Sequence, residues 1–379
     1  MKKLFSSIFM LSVCAFALTS CSDDDDDNNK PVIDPVYKLV EVSNGAFVIG
    51  AGNQSANIGS NVTSYDYATN AATMGVFKTA NGRELGLTAN DAVVYGSKMY
   101  IIVDGEHTVE VVDKNTMKSI RQISTTELMG EDKGKHPRHG VAYDGKVFVS
   151  TYDGYVAAID TTDYHLAQTY TAGSYPEGVA ILDGYLYVAN SDYSSVTNAS
   201  ISKIDLTTGE GVLLKDELIT NPVGLAVVDS ALYFLDYGTY DASWNQTGAG
   251  VRKIEGNTIT KVADATMMAT SGSKIYVCNA PYTYPSTVPT YGVYDTATGT
   301  FTNFTCPDVV SPTAIAADPV TGYLFVASYN KDPETGYASY MTNGYVVVYK
   351  NDFTKLTSFE TGVGPTAITF NTNTVVYEE

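Results

Sequence analysis

The 379-residue chain carries 23 Lys+Arg against 42 Asp+Glu, a formal charge of −19, which repels phosphate backbones and argues against nucleic-acid binding. Charged residues make up 17% and hydrophobic residues 44%, a globular rather than a disordered composition. Four cysteines against 29 tyrosines, 13 Phe and one Trp exclude a disulfide framework and point to aromatic surface as well as aromatic core.

Residues 1–20 read as an address. Lys2 and Lys3 precede an apolar run from Leu4 to Leu18, about fifteen residues and shorter than the roughly 20 of a spanning helix. The run ends in Leu18-Thr19-Ser20-Cys21, which resembles the lipobox of bacterial lipoproteins, in which the cysteine is lipidated. Cys21 is therefore the expected lipid attachment point, and a multiply acylated terminus anchors a chain firmly. Asp23 to Asp27 follow without interruption. Such a run repels itself and stays extended, and it resembles the acidic export tag of surface-exposed Bacteroidetes lipoproteins. The expected layout is a signal peptide over 1–20, a lipidated acidic tether over 21–37 and one folded domain over 38–379. It places the chain at the outer membrane, lipid-anchored and facing the cell surface.

From residue 38 onward one pattern recurs. A small-residue strand, a tight turn, an aromatic-centred strand, a variable loop and a strand closing in an acid follow one another. The aromatic anchors are Phe47, Tyr100, Phe148, Tyr187, Tyr233, Tyr276 and Phe325. The closing positions are Asp66, Asp113, Asp160, Asp205, Glu255 and Asp295, with Tyr349 in the seventh slot. A period of about 47 residues is the length of a four-stranded propeller blade. Stretches such as Val109-Glu110-Val111-Val112-Asp113 alternate as half-buried strands do. Pro137, Pro176, Pro222, Pro312 and Pro365 each stand at the start of a small-residue strand, where a residue without an N–H is tolerated. These features predict an all-β fold: a seven-bladed β-propeller of four-stranded antiparallel blades. Residues 364–379 are expected to pair with the N-terminal blade and close the ring.

Through Tyr187-Val188-Ala189-Asn190, Tyr276-Val277-Cys278-Asn279 and the Pro-x-Gly strand starts, residues 38–379 resemble the YVTN/YncE-like propellers. The wider layout also includes the lipobox, the acidic tether, Leu85-Gly86, Tyr175-Pro176-Glu177-Gly178 and Asn190-Ser191. It is similar to the surface-exposed cobalamin-binding (BtuG-type) propellers of Bacteroidetes. That resemblance implies capture of a corrinoid, vitamin B12, for a TonB-dependent outer-membrane transporter, by a chain that is a monomer outside that complex. The same fold hosts many activities.

Four of the loops expected between second and third strands are long for hairpin connections: 191–200, 236–250, 279–290 and 328–343. They carry Tyr193, Tyr237, Trp244, Tyr282, Tyr284 and Tyr329, and amphipathic aromatics of this kind collect at binding surfaces. The starts of the inner strands add Arg138, His139, Tyr175 and Glu177, and the end of a second strand adds Asn190. A rim of Tyr, Asn and Ser suits a large polar uncharged ligand, either a corrinoid or a glycan. Catalytic signals are sparse, so no enzyme is expected. A lactonase or lyase at the channel mouth is the alternative from another class, and a glycan-binding or adhesion module is a third. His136 and His139 lack further metal ligands nominated by the sequence, so neither a metal nor a cofactor is expected. Cys278 and Cys306 are expected to be two strands apart, beyond disulfide reach, and therefore free.

Overall fold

The computed structural model describes residues 37–192, 197–256 and 258–378. The expected signal peptide, Cys21 and the aspartate run lie outside them. The described residues divide into a small unit, residues 37, 38 and 376–378, and the main unit Leu39–Val375.

Among the described residues the strands form seven four-stranded sheets and one two-stranded ribbon. In six of the sheets the four strands follow one another in the chain, apart from the ribbon inserted into the fifth. In the remaining sheet the last strand, Pro365–Glu378, lies beside the first, Tyr37–Gly50. This is the β-propeller expected from the repeat, closed by its C-terminal strand. All seven aromatic anchors are buried. Seven apolar clusters fill the joints between neighbouring sheets. In one, Phe148 and Val156 meet Val179 and Val188; in the closing one, Ala46 and Val48 meet Phe325 and Val346. At that last joint the hydroxyls of Ser43 and Tyr67 both donate to the buried Asp318 carboxylate, each at 2.6 Å.

The closing acids hold the turns that follow them. Asp66 accepts the Thr69 N–H at 2.7 Å, Asp113 that of Thr116 at 2.8 Å, and Asp205 those of Thr207 and Thr208 at 2.8 and 2.9 Å. Those backbone N–H bonds lower the carboxyl pKa at all three. Small residues on the inner strands are a packing requirement. A Cβ on Gly178 would lie 2.8 Å from the Gly224 Cα of the next blade, closer than real Cβ contacts permit.

Two faces result from the strand directions. One carries the links between second and third strands and those into each next blade. The other carries the tight turns, such as Tyr143–Lys146 and Leu182–Tyr185. The chain comes up to Gly50 from the tight-turn face, and from Pro365 it runs back toward that face. Cys278 and Cys306 are buried and free, as expected, and burial pushes each thiol up to about 12.

Candidate functional site

On the long-loop face, three consecutive inner strands carry polar side chains at matching positions. Asn90 and Asp91 sit on the strand Ala89–Tyr95, Arg138 and His139 on Pro137–Tyr143, and Glu177 on Pro176–Leu182. In each strand the pairing register slips just there, between Ala89 and Asp91, Pro137 and Gly140, and Pro176 and Val179. A bulge of this kind re-aims side chains. The fifth and seventh blades place Val223 and Thr313 at the same point after their prolines, so the charge is confined to blades two to four.

These side chains form one network. Arg138 Nε donates to Glu177 Oε2 at 3.0 Å and Nη1 to Asp104 Oδ2 at 2.9 Å. Its guanidinium also lies over the Tyr152 ring, 4.4 Å from the centroid, and the Tyr152 hydroxyl donates to Glu177. His139 reaches Asp91 at 3.3 Å and Glu177 at 3.6 Å. His136 Nδ1 bonds Asp104 Oδ1 at 2.8 Å. Burial alone would lower the Arg138 pKa, but Glu177, Tyr152 and Asp104 outweigh it and the value rises. Burial, followed by the Glu177 charge, pushes the Tyr152 phenol upward. Arg138 is therefore a fixed cation, and Glu177, only 6% exposed, is its main counter-charge.

Four of the expected residues, Arg138, His139, Tyr175 and Glu177, meet here. Tyr175 stands edge-on to Tyr152 with centroids 5.3 Å apart. Tyr237, directly after the second strand in the next blade, joins them: its phenol is raised by burial first and then by the Glu177 charge. Asp91, Asp104, His107 and Tyr152 were not among the expected residues. Asp91 and Asp104 bring to three, with Glu177, the carboxylates that converge here, where the sequence nominated one.

Asn190 requires a correction. It is fully buried. Its amide donates to the Ser200 and Ser202 hydroxyls at 3.1 and 2.9 Å, and its carbonyl accepts the Gly173 N–H at 3.0 Å. Every polar atom is used inward, so no ligand can be read there. Asp236, the last residue of the second strand in the next blade, does the same work. It accepts the N–H groups of Thr220, Asn221 and Gly238 at 2.8, 3.0 and 2.7 Å. The position clamps the loop that leads into its own blade. Tyr193 lies outside the described residues.

The remaining aromatics belong to the loops of blades five to seven. Thr239–Tyr240 and Gln246–Thr247 form the two-stranded ribbon, with Trp244 at its tip, 73% exposed. The ribbon is tied to the next blade's loop. Gln246 N–H donates to the Tyr282 carbonyl at 2.7 Å, and the Asn245 side chain accepts the Tyr284 N–H at 2.8 Å. Tyr282 and Tyr284 are 67% and 80% exposed. In the seventh blade Tyr329 is half-buried edge-on against Tyr340, centroids 4.8 Å apart, beside the exposed Tyr337 and Met341. The face is thus divided into a charged arc and an aromatic arc. A 360 Å³ cleft lined by Tyr143, Asp144, Gly184 and Thr207 belongs to the opposite, tight-turn face.

No family model matches the chain, and no curated protein matches its sequence. Solved structures share its fold. A candidate 6-phosphogluconolactonase from Bacteroides uniformis superposes with a TM-score of 0.58 at 11% identity, over 86% of this chain and 99% of its own. Its counterpart from Bacteroides fragilis gives 0.56 at 12%, over 86% and 98%. Hydrazine synthase from Kuenenia stuttgartiensis gives 0.57 at 15%, over 77% and 95%. Identities this low speak for the propeller alone.

Proposed function

We propose that this chain is a ligand-capturing propeller that takes a large polar molecule, a corrinoid, onto its long-loop face. The lipid on Cys21 would hold it at the outer-membrane surface, where it would deliver the ligand to a TonB-dependent transporter. The observation that carries the reading is the aromatic arc. Trp244, Tyr282, Tyr284, Tyr337 and Tyr340 are each more than half exposed. Exposed apolar surface on this scale marks an interaction site. The backbone bonds between the two loops hold part of it in place before any ligand arrives, which reduces the ordering cost of binding. Tyr, Asn and Gln at the rim offer hydrogen bonds to amides and hydroxyls.

Catalysis is the second reading, favoured by three carboxylates converging on Arg138 and His139. Its weakness is also geometric. Glu177 is already engaged by Arg138, Tyr152 and His139, and a general base needs a free lone pair facing its substrate.

Isothermal titration with cyanocobalamin and with a glycan panel tests the proposal. One-to-one binding of the corrinoid supports it. Binding of a glycan alone would make the chain an adhesion module. A lactonase or lyase activity abolished by Glu177→Gln, without corrinoid binding, would establish the enzyme reading. The anchor is tested separately. No helix among the described residues is long and apolar enough to cross a membrane. Cys21→Ala should therefore leave the membrane fraction, and its retention after a carbonate wash would refute lipid anchoring.

A further inference from the structure

We propose that the channel mouth holds a first-row transition-metal dication on Asp104, His107 and His136. One ligand atom from each lies within 4.8 Å of the other two. The three come from two different links on one face, the Asp104–His107 hairpin and the segment leading into Pro137. Their rings are already set against each other, His107 and His136 standing edge-on with centroids 4.8 Å apart.

Two further observations point the same way. The second oxygen of Asp104 is held by Arg138 Nη1 at 2.9 Å, an outer contact of the kind that orients a metal-binding carboxylate. Finally, the charge is right. Asp104 and Glu177 bond the one guanidinium while Asp91 lies beside His139, and the excess negative charge is what a dication would offset.

The donor set decides which dication. Two imidazoles and one carboxylate suit zinc, cobalt, nickel or iron, whereas calcium and magnesium prefer all-oxygen shells. His136 is half exposed at the side chain, so positions beyond the three protein ligands stay open to water or to a ligand donor atom. Within the cluster His136 Nδ1 is hydrogen-bonded to Asp104, and the His136 backbone N–H donates to His107 Nδ1 at 3.1 Å. Both are contacts that a metal would replace without moving the strands beneath.

The test uses the purified full chain with Zn²⁺ in calorimetry and Co²⁺ in visible spectroscopy. One equivalent of each should bind, with cobalt bands of a four- or five-coordinate site. His107→Ala, His136→Ala and Asp104→Asn should each weaken binding by at least about 10-fold, the least that loss of an outer contact costs. Asp104→Asn keeps a hydrogen-bonding side chain and guards against a folding artefact. The control is His165→Ala. That residue, with Asp160 and Asp163, makes a second cluster of similar spacing on an exposed tight turn, and its loss should change nothing. Absence of saturable binding by the wild-type chain would overturn the proposal. So would binding that survives His107→Ala and His136→Ala but is lost in His165→Ala.

Discussion

Glu177→Ala should lower the stability of the propeller by about 3 kcal/mol, the lower end of what removal of one partner from a buried ion pair costs. The physical reason is what stays behind. Arg138 would lose its main counter-charge but keep Asp104 at 2.9 Å, and the Tyr152 hydroxyl would lose its acceptor. Urea unfolding followed by circular dichroism measures the change. A paired variant, Arg138→Met with Glu177→Leu, should recover much of the loss, because apolar side chains of similar volume replace buried ion pairs at little cost. If Glu177→Ala unfolds within about 0.5 kcal/mol of wild type, as an ordinary surface substitution does, the network is not structural. Its charges would then be kept for what binds there.

Trp244→Ala should weaken corrinoid binding by about 2 kcal/mol or more, the scale of an interface hot spot. The indole is the largest side chain on the aromatic arc and stands 73% exposed at the ribbon tip. Its backbone is fixed by the Asp241 turn, in which the Trp244 N–H donates to the Asp241 carbonyl at 2.9 Å. Fold stability should be unchanged, because its one ring neighbour among the described residues is Tyr240, 6.5 Å away. As the only tryptophan, it should also report binding directly through its fluorescence. Full affinity in the alanine variant would move the site off this arc. Tyr284→Ala should cost less, and changes at Asp183-Gly184 on the opposite face should cost nothing.

The propeller was legible because its repeat is written in residues that packing demands. An aromatic at the centre of each second strand, an acid to hold the following turn and a proline at the start of inner strands recur in register. Each has a local cause. The charged arc was legible only in part. Arg138 and Glu177 follow prolines, so the repeat announces them. Asp91 occupies the same position as His139, but its strand begins with Ala89 rather than proline, and the pattern passes over it. Asp104, His107 and Tyr152 lie on short links that look like plain hairpins, and only the ring brings them beside Arg138. Asn190 was misread for the opposite reason. It stands where a loop begins, and the Ser200 and Ser202 hydroxyls that consume it are on the neighbouring strand, beyond that loop. Gly173 was the available clue: a Cβ there would lie 2.7 Å from the Asn190 side chain, so the glycine is explained by an inward-turned asparagine.

The first blade borrows its innermost strand from the end of the chain. During synthesis, six blades can assemble in order while the first waits, three strands wide, with an open edge. The contacts that complete it span more than 300 residues, and separations of that length slow folding and prolong exposure of sticky edges.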